Sequence, residues 1–105
     1  MKTKTVVELK KMIDSQEDFQ LIDVREENEF DICNINGQLI PMAEIPDNLD
    51  KISKEKPVVI HCRSGKRSAN VIDYLESNFN YTNLYNLTGG ILAWADEIDP
   101  TLTKY

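Results

Sequence analysis

The chain has 105 residues, a length that predicts one domain over residues 1–105 with a modest core. Its 41% hydrophobic and 29% charged residues exclude a disordered chain, and no apolar run is long enough to span a bilayer. The formal net charge of −6 argues against partners such as nucleic acid or an acidic membrane surface.

The N-terminal stretch predicts a helix and not a secretory leader. Val6, Leu9 and Ile13 recur at helical spacing, which predicts a helix over 6–14 after a short strand at 3–5. Charged residues interrupt the apolar ones and no cleavage site follows. We therefore expect a cytoplasmic protein.

The next third of the chain alternates short apolar runs with turn residues. A strand is predicted over 19–24 and a helix over 26–32, where good helix formers follow. Asn36-Gly37 marks a turn before a short strand over 38–42. Residues 45–52 then predict a short helix.

The second half of the chain has clearer periodicity. Residues 57–61 are apolar without alternation, which is typical of a parallel strand covered on both faces. An amphipathic helix over 66–79, a strand over 83–87 and a short helix over 91–98 follow. Strands that alternate with helices predict an α/β fold with a mostly parallel sheet. Such sheets bind ligands beyond the carboxyl ends of their strands.

The loop CRSGKR at 62–67 lies at one such end, between the most apolar strand and a helix. Gly65 permits a tight curl that turns several backbone N–H groups inward, beside the positive end of the helix dipole. Cys62 opens this anion cradle, and a thiol in such surroundings has a lowered pKa. The pattern predicts Cys62 as a nucleophile, although a cysteine that ends a buried strand is more often a small core residue.

The rest of the loop predicts substrate binding. The expected anion binders, through cationic side chains, a hydroxyl or the backbone, are Arg63, Ser64, Gly65, Lys66 and Arg67. The Ser68 hydroxyl is a further candidate donor. The sequence leaves open which cation points inward, and basic residues at a helix start are often only a solvated surface.

Other polar residues carry weaker signals. Asp23 and Arg25 follow the second predicted strand, where they either brace the loop through hydrogen bonds or an ion pair, or cap the next helix. Neighbours in a strand face opposite sides, so we do not expect His61 to be the base for the thiol. Cys33 has no basic partners and Trp94 lies on an apolar helical stripe, so we assign neither to the chemistry. Two cysteines and one histidine are too few for a zinc site.

Four motifs in order resemble the rhodanese-like domain across nearly the whole chain. They are DVRE at 23–26, ING at 35–37, the six-residue loop that Cys62 opens, and GGILAW at 89–94. The segments NINGQLIPMAEIP and EIDPTLTKY resemble the rhodanese domain fused to adenylating enzymes that serve ubiquitin-like sulfur carrier proteins. The family often has His at Asn34 and Pro at Asn36, and we expect these departures only to adjust a turn.

The resemblance implies a rhodanese-like α/β fold, with a central, mostly parallel sheet of about five strands and helices on both faces. It implies a sulfurtransferase in which Cys62 carries sulfur as a persulfide, from thiosulfate or a protein persulfide to a thiophilic acceptor. No cofactor or metal is implied. The implied partners are a small anionic sulfur donor and a sulfur carrier protein or cysteine desulfurase.

Two alternatives remain at this point. Related phosphatases and arsenate reductases use a longer Cys-x5-Arg loop around a tetrahedral anion, whereas here the arginine comes one residue earlier, at Arg67, and Ser68 follows. Non-catalytic rhodanese-like modules bind or regulate proteins, but they typically lack the cysteine.

Overall fold

A five-stranded parallel sheet forms the centre of the molecule in the computed structural model, which describes all 105 residues. The strands are β1 (Thr3–Lys4), β2 (Gln20–Asp23), β3 (Gln38–Leu39), β4 (Val58–His61) and β5 (Leu84–Leu87). The helices are α1 (Val6–Asp14), α2 (Glu27–Ile32), α3 (Lys66–Phe79) and α4 (Gly90–Glu97). The strands lie in the order β1-β5-β4-β2-β3, and every neighbouring pair is parallel. The predicted α/β fold is confirmed.

The central strand β4 supplies apolar side chains to both faces of the sheet. Val58, Val59 and Ile60 are each 0% exposed. Val58 and Ile60 belong to one core cluster and Val59 to the other, because successive side chains of a strand point to opposite sides. The absence of alternation in the sequence follows from this burial on both faces.

Each face of the sheet has its own helical layer. Val71, Ile72 and Leu75 of α3 pack on the first face. Helices α1 and α4 cover the second face, where α1 buries Val6, Leu9 and Met12. The predicted stripe of α1 was wrong at its last position, since Ile13 is 39% exposed and Met12 is buried in its place.

The predicted helix over 45–52 is not an α-helix. The chain instead forms two short 3₁₀ segments, Met42–Asp47 and Leu49–Lys51. Pro46 lies inside the first of them and lacks the N–H that an α-helix interior needs. No helix of the structure combines the length and apolar character that crossing a membrane requires.

Candidate active site

The sulfur of Cys62 occupies the position of a helix cap. Helix α3 begins after Gly65, whose φ of +107° lets the backbone turn sharply, and no side-chain oxygen caps this end. The free N–H groups point to the sulfur instead: those of Gly65 and Ser68 lie 3.1 and 3.5 Å from Sγ. A sulfur that carries negative charge is the acceptor that these N–H groups and the helix dipole favour.

These contacts determine the ionisation of Cys62, which is 1% exposed. Burial by itself would raise the pKa of the thiol. Hydrogen bonds from the Ser68 hydroxyl and from the backbone N–H groups of Ser68, Gly65 and Ser64 outweigh burial, and the pKa of Cys62 falls below the ordinary thiol value. The thiol is therefore enclosed but disposed to ionise.

Asn86 of β5 anchors the loop and was missed in the sequence. Its Nδ2 donates to the Gly65 carbonyl at 3.0 Å, which orients the amide so that Oδ1 accepts from the Ser68 hydroxyl at 2.6 Å. Ser68 Oγ also lies 3.4 Å from the Cys62 sulfur, where either atom can donate. The one Ser68 proton therefore goes to Asn86 while Cys62 is a protonated thiol that donates to Oγ, and it can turn to the sulfur once Cys62 is ionised. The only available signal was a polar residue within an otherwise apolar strand.

The N-terminus of α4 holds the carbonyl side of the loop. The N–H groups of Ile91 and Leu92 donate to the carbonyls of Cys62 and Arg63 at 3.0 and 3.1 Å. This contact requires Gly90, because a Cβ there would lie 2.6 Å from the Cys62 carbonyl oxygen and 2.5 Å from that of Arg63. Because the N-terminus of α4 binds the carbonyl groups of the loop, the N–H groups of the loop are free to point to the sulfur.

His61 is a buried, neutral neighbour of the site. Burial lowers the pKa of His61, with Arg25 also acting in that direction, although Asp23 and the Cys62 backbone oppose the shift. Its Nδ1 lies 3.3 Å from the Cys62 carbonyl oxygen, and its Nε2 lies 3.6 Å from Asp23 Oδ2 without a hydrogen bond. Neither ring nitrogen bonds the sulfur.

Asp23 and Arg25 form a fully buried ion pair behind the site. Arg25 Nε and Nη2 donate to the two Asp23 carboxylate oxygens at 2.9 and 2.7 Å, and both side chains are 0% exposed. Arg25 also donates to the Cys33 carbonyl at 2.8 Å and to the Tyr105 hydroxyl at 2.9 Å. The pair makes no hydrogen bond to the loop residues 62–67. Glu26 and Glu29 form the capping box at the N-terminus of α2, whereas Arg25 binds carbonyl oxygens at its C-terminal end. The pair is linked to the loop indirectly, because Arg25 donates to Tyr105 and Tyr105 in turn binds Arg63.

The three loop cations have different surroundings. Arg63 is exposed, and its guanidinium donates to the Tyr105 carbonyl and lies 5.1 Å from the centre of that ring. Lys66 is exposed and forms no ion pair. Arg67 binds the Glu29 carboxylate through two hydrogen bonds of 2.7 and 2.8 Å. Those bonds raise the pKa of Arg67, and the charge of an ionised Cys62 contributes in the same direction.

The second cysteine and the tryptophan lie on the far side of the sheet. Cys33 and Trp94 pack in the layer of α1 and α4, whereas Cys62 belongs to the layer of α3. Both thiols are free. A parallel strand layer thus separates Cys33 from the sulfur of Cys62.

Comparison with known proteins identifies the family. The family model described as "Rhodanese-like domain" matches residues 5–97.

The chain belongs to the rhodanese-like domain family.

Individual relatives of this rhodanese-like domain agree with the match. The putative sulfurtransferase YtwF of Bacillus subtilis is 40% identical over 93 residues, which are 88% of each chain. The probable adenylyltransferase/sulfurtransferase MoeZ of Mycobacterium tuberculosis is 36% identical, and the match covers 98% of this chain but 27% of MoeZ. The crystal structure of a rhodanese-like domain protein from Staphylococcus aureus superposes with a TM-score of 0.83, at 41% identity over 93% of this chain and 95% of that one.

The Ser68 contact predicts a change in thiol reactivity. In a Ser68→Ala variant of this rhodanese-like domain, the sulfur keeps its backbone donors but loses a hydroxyl. We expect Cys62 alkylation at neutral pH to slow about ten-fold, the effect of one hydrogen bond to a charged group. The pH midpoint of alkylation should move upward, since the thiolate is less favoured. Ser64→Ala is the matched control, and equal slowing in both variants would contradict the assignment.

The Gly90 contact predicts a change in stability. Gly90→Ala combines a φ of +58° with a Cβ against two carbonyl oxygens. We expect a loss of about 2–4 kcal/mol in the free energy of unfolding, measured by urea denaturation, and slower alkylation of Cys62. Gly37→Ala is the control, because its Cβ would approach only Leu21 Cγ closely, at 3.3 Å. If both variants lose the same free energy of unfolding, the loop can move away from a Cβ at position 90, and the contact does not require glycine.

Proposed function

We propose that this rhodanese-like domain is a sulfurtransferase that carries sulfur as a persulfide on Cys62. The observation that supports this most is the set of backbone N–H groups and the Ser68 hydroxyl around one enclosed sulfur, which lowers its pKa. The relative YtwF is named a putative sulfurtransferase and matches nearly the full length of the chain.

The first half-reaction loads the sulfur. The Cys62 thiolate attacks the outer sulfur of a donor such as thiosulfate, and a new S–S bond forms to Sγ. The S–S bond of the donor breaks, and sulfite leaves with its electron pair. The loop N–H groups stabilise the negative charge as it moves between the sulfur atoms, as an oxyanion hole does.

The second half-reaction transfers the sulfur from Cys62 to an acceptor. A thiophilic acceptor, such as cyanide in an assay or a thiol in a cell, attacks the outer sulfur of the persulfide. The S–S bond to Sγ breaks and its electron pair returns to Cys62 as the thiolate. No external oxidant or reductant is needed, because the transferred sulfur keeps its oxidation state.

The loop supplies the binding groups in this proposal. We assign anion binding to Arg63, Lys66 and Arg67, and assign to Ser64 and Gly65 the backbone N–H groups that face the sulfur. Asp23 and Arg25 support the site from behind. The chemistry uses a reduced thiol and no cofactor, and we propose a reducing, cytoplasmic location.

The proposed partners follow from the same chemistry. A small anionic sulfur donor suits the cationic loop. The match to MoeZ, named as a probable adenylyltransferase/sulfurtransferase, supports a sulfur carrier protein as the physiological acceptor or a cysteine desulfurase as the donor.

The proposal is tested by intact-protein mass after incubation with thiosulfate, together with turnover of thiosulfate and cyanide. We expect a gain of one sulfur atom and release of sulfite and thiocyanate. An aryl phosphate and arsenate are assayed in parallel. Turnover of either without persulfide formation would instead support a phosphatase or arsenate reductase, and no adduct with any donor would support a binding module.

A further inference from the structure

The anion-binding group of Arg67 is already occupied. Its two terminal nitrogens donate to the two carboxylate oxygens of Glu29, at 2.7 and 2.8 Å. This paired geometry is the one a guanidinium offers to an oxyanion of a substrate. Arg67 is also the loop arginine whose charge interacts with Cys62. A donor anion that approaches the sulfur therefore meets this cation with its charge neutralised.

Glu29 is fixed in this position by two further donors. The backbone N–H of Glu26 donates to Oε2 at 2.9 Å, and the Tyr105 hydroxyl donates to Oε1 at 3.0 Å. The side chain is 14% exposed, so solvent screens it only in part. Hydrogen bonds from Arg67 lower the pKa of Glu29 to about 2, despite burial, and the carboxylate is ionised at neutral pH.

We propose that Glu29 is a specificity-determining residue whose carboxylate competes with the donor anion for Arg67 and so weakens the binding of doubly charged donors. This inference rests on the sulfur transfer proposed above. Repulsion by a fixed negative charge grows with the charge of the donor. Thiosulfate, a dianion, is therefore disfavoured more than a singly charged thiosulfonate, from which Cys62 takes the same outer sulfur while a sulfinate leaves with the electron pair.

The test compares two donors in matched variants, with cyanide as acceptor. In Glu29→Gln we expect the KM for thiosulfate to fall about five- to thirty-fold, the effect of freeing a partly exposed arginine. The KM for benzenethiosulfonate should fall less, and kcat should change little. Glu27→Gln removes one charge from an exposed position on the same helix and should leave both KM values unchanged.

The results separate this inference from the alternatives. A higher KM for thiosulfate in Glu29→Gln would mean that Glu29 only positions Arg67, and would overturn it. If KM falls equally for both donors, or falls as much in Glu27→Gln as in Glu29→Gln, the effect is one of net charge alone. Either result would also overturn the inference.

A second variant, Tyr105→Phe, tests the inference even if Glu29→Gln fails to fold. Tyr105→Phe keeps the carboxylate but removes one donor to it, so a smaller fall in the KM for thiosulfate is expected, and no fall would contradict the inference. If wild type forms no persulfide with either donor, the proposed function itself fails. If wild type transfers sulfur and the variants do not differ from it, only the role of Glu29 fails.

Discussion

Replacing Cys62 by serine is expected to abolish sulfur transfer. The variant keeps the loop and its N–H groups but lacks the sulfur atom that they surround. We expect thiosulfate:cyanide turnover to fall at least about 10³-fold, as when a covalent nucleophile is removed. Intact-protein mass should show no added sulfur after incubation with the donor.

Cys33→Ser is the matched control for this variant. Cys33 is buried in the opposite layer and makes no contact with the loop, so both turnover and the mass gain should be retained. If the Cys62→Ser variant gained a sulfur atom and the Cys33→Ser variant did not, the persulfide would form on Cys33, and the proposed mechanism would be refuted.

Breaking the buried Asp23–Arg25 pair is expected to cost the most stability. Arg25→Met leaves the Asp23 carboxylate enclosed without its partner and frees the Cys33 carbonyl. Removing one member of a buried pair typically costs about 3–5 kcal/mol, a large share of the stability of a small domain. Thermal unfolding should therefore shift downward by more than about 10 °C.

A surface pair provides the comparison. Lys10 and Asp14 form an ion pair on α1 with side chains 45% and 57% exposed, and Lys10→Met should cost less than about 1 kcal/mol. The double variant Asp23→Leu/Arg25→Met removes both charges and should regain part of the loss. If Arg25→Met is no more destabilising than Lys10→Met, the buried pair has no structural role.

Most of the fold could be predicted because local patterns determine it. The unbroken apolar run of β4 and the helical stripe of α3 each reflect packing against one partner layer, and both elements form where expected. The segment after β3 was the exception. Its helical structure begins at Met42, earlier than predicted, and Pro46 has no N–H to donate to the Met42 carbonyl, so the segment Met42–Asp47 forms a 3₁₀ helix and not an α-helix.

The candidate site was harder to predict wherever it depends on contacts between distant positions. The loop and Cys62 stand out because glycine, cysteine and basic residues are adjacent in sequence. Asn86, Glu29 and Tyr105 reach the loop from β5, α2 and the C-terminal segment, over separations of 21, 38 and 42 residues. No local periodicity reports such contacts. The sequence identified the loop cations, but it could not show that Arg67 binds the Glu29 carboxylate or that Arg63 binds Tyr105.

The use of Cys62 as the cap of α3 links reactivity to folding. In an unfolded chain this thiol has no ring of N–H donors, so it is an ordinary cysteine that is mostly protonated at neutral pH. The native state favours the thiolate, and by thermodynamic linkage ionisation favours the native state. This contribution is fully present above the ordinary thiol pKa and is lost as pH falls through the lower pKa of the folded protein. In the proposed sulfur transfer, a nascent or damaged copy of the protein would therefore react poorly with the donor, because the thiolate is favoured only once the last strand and helix have closed around the sulfur.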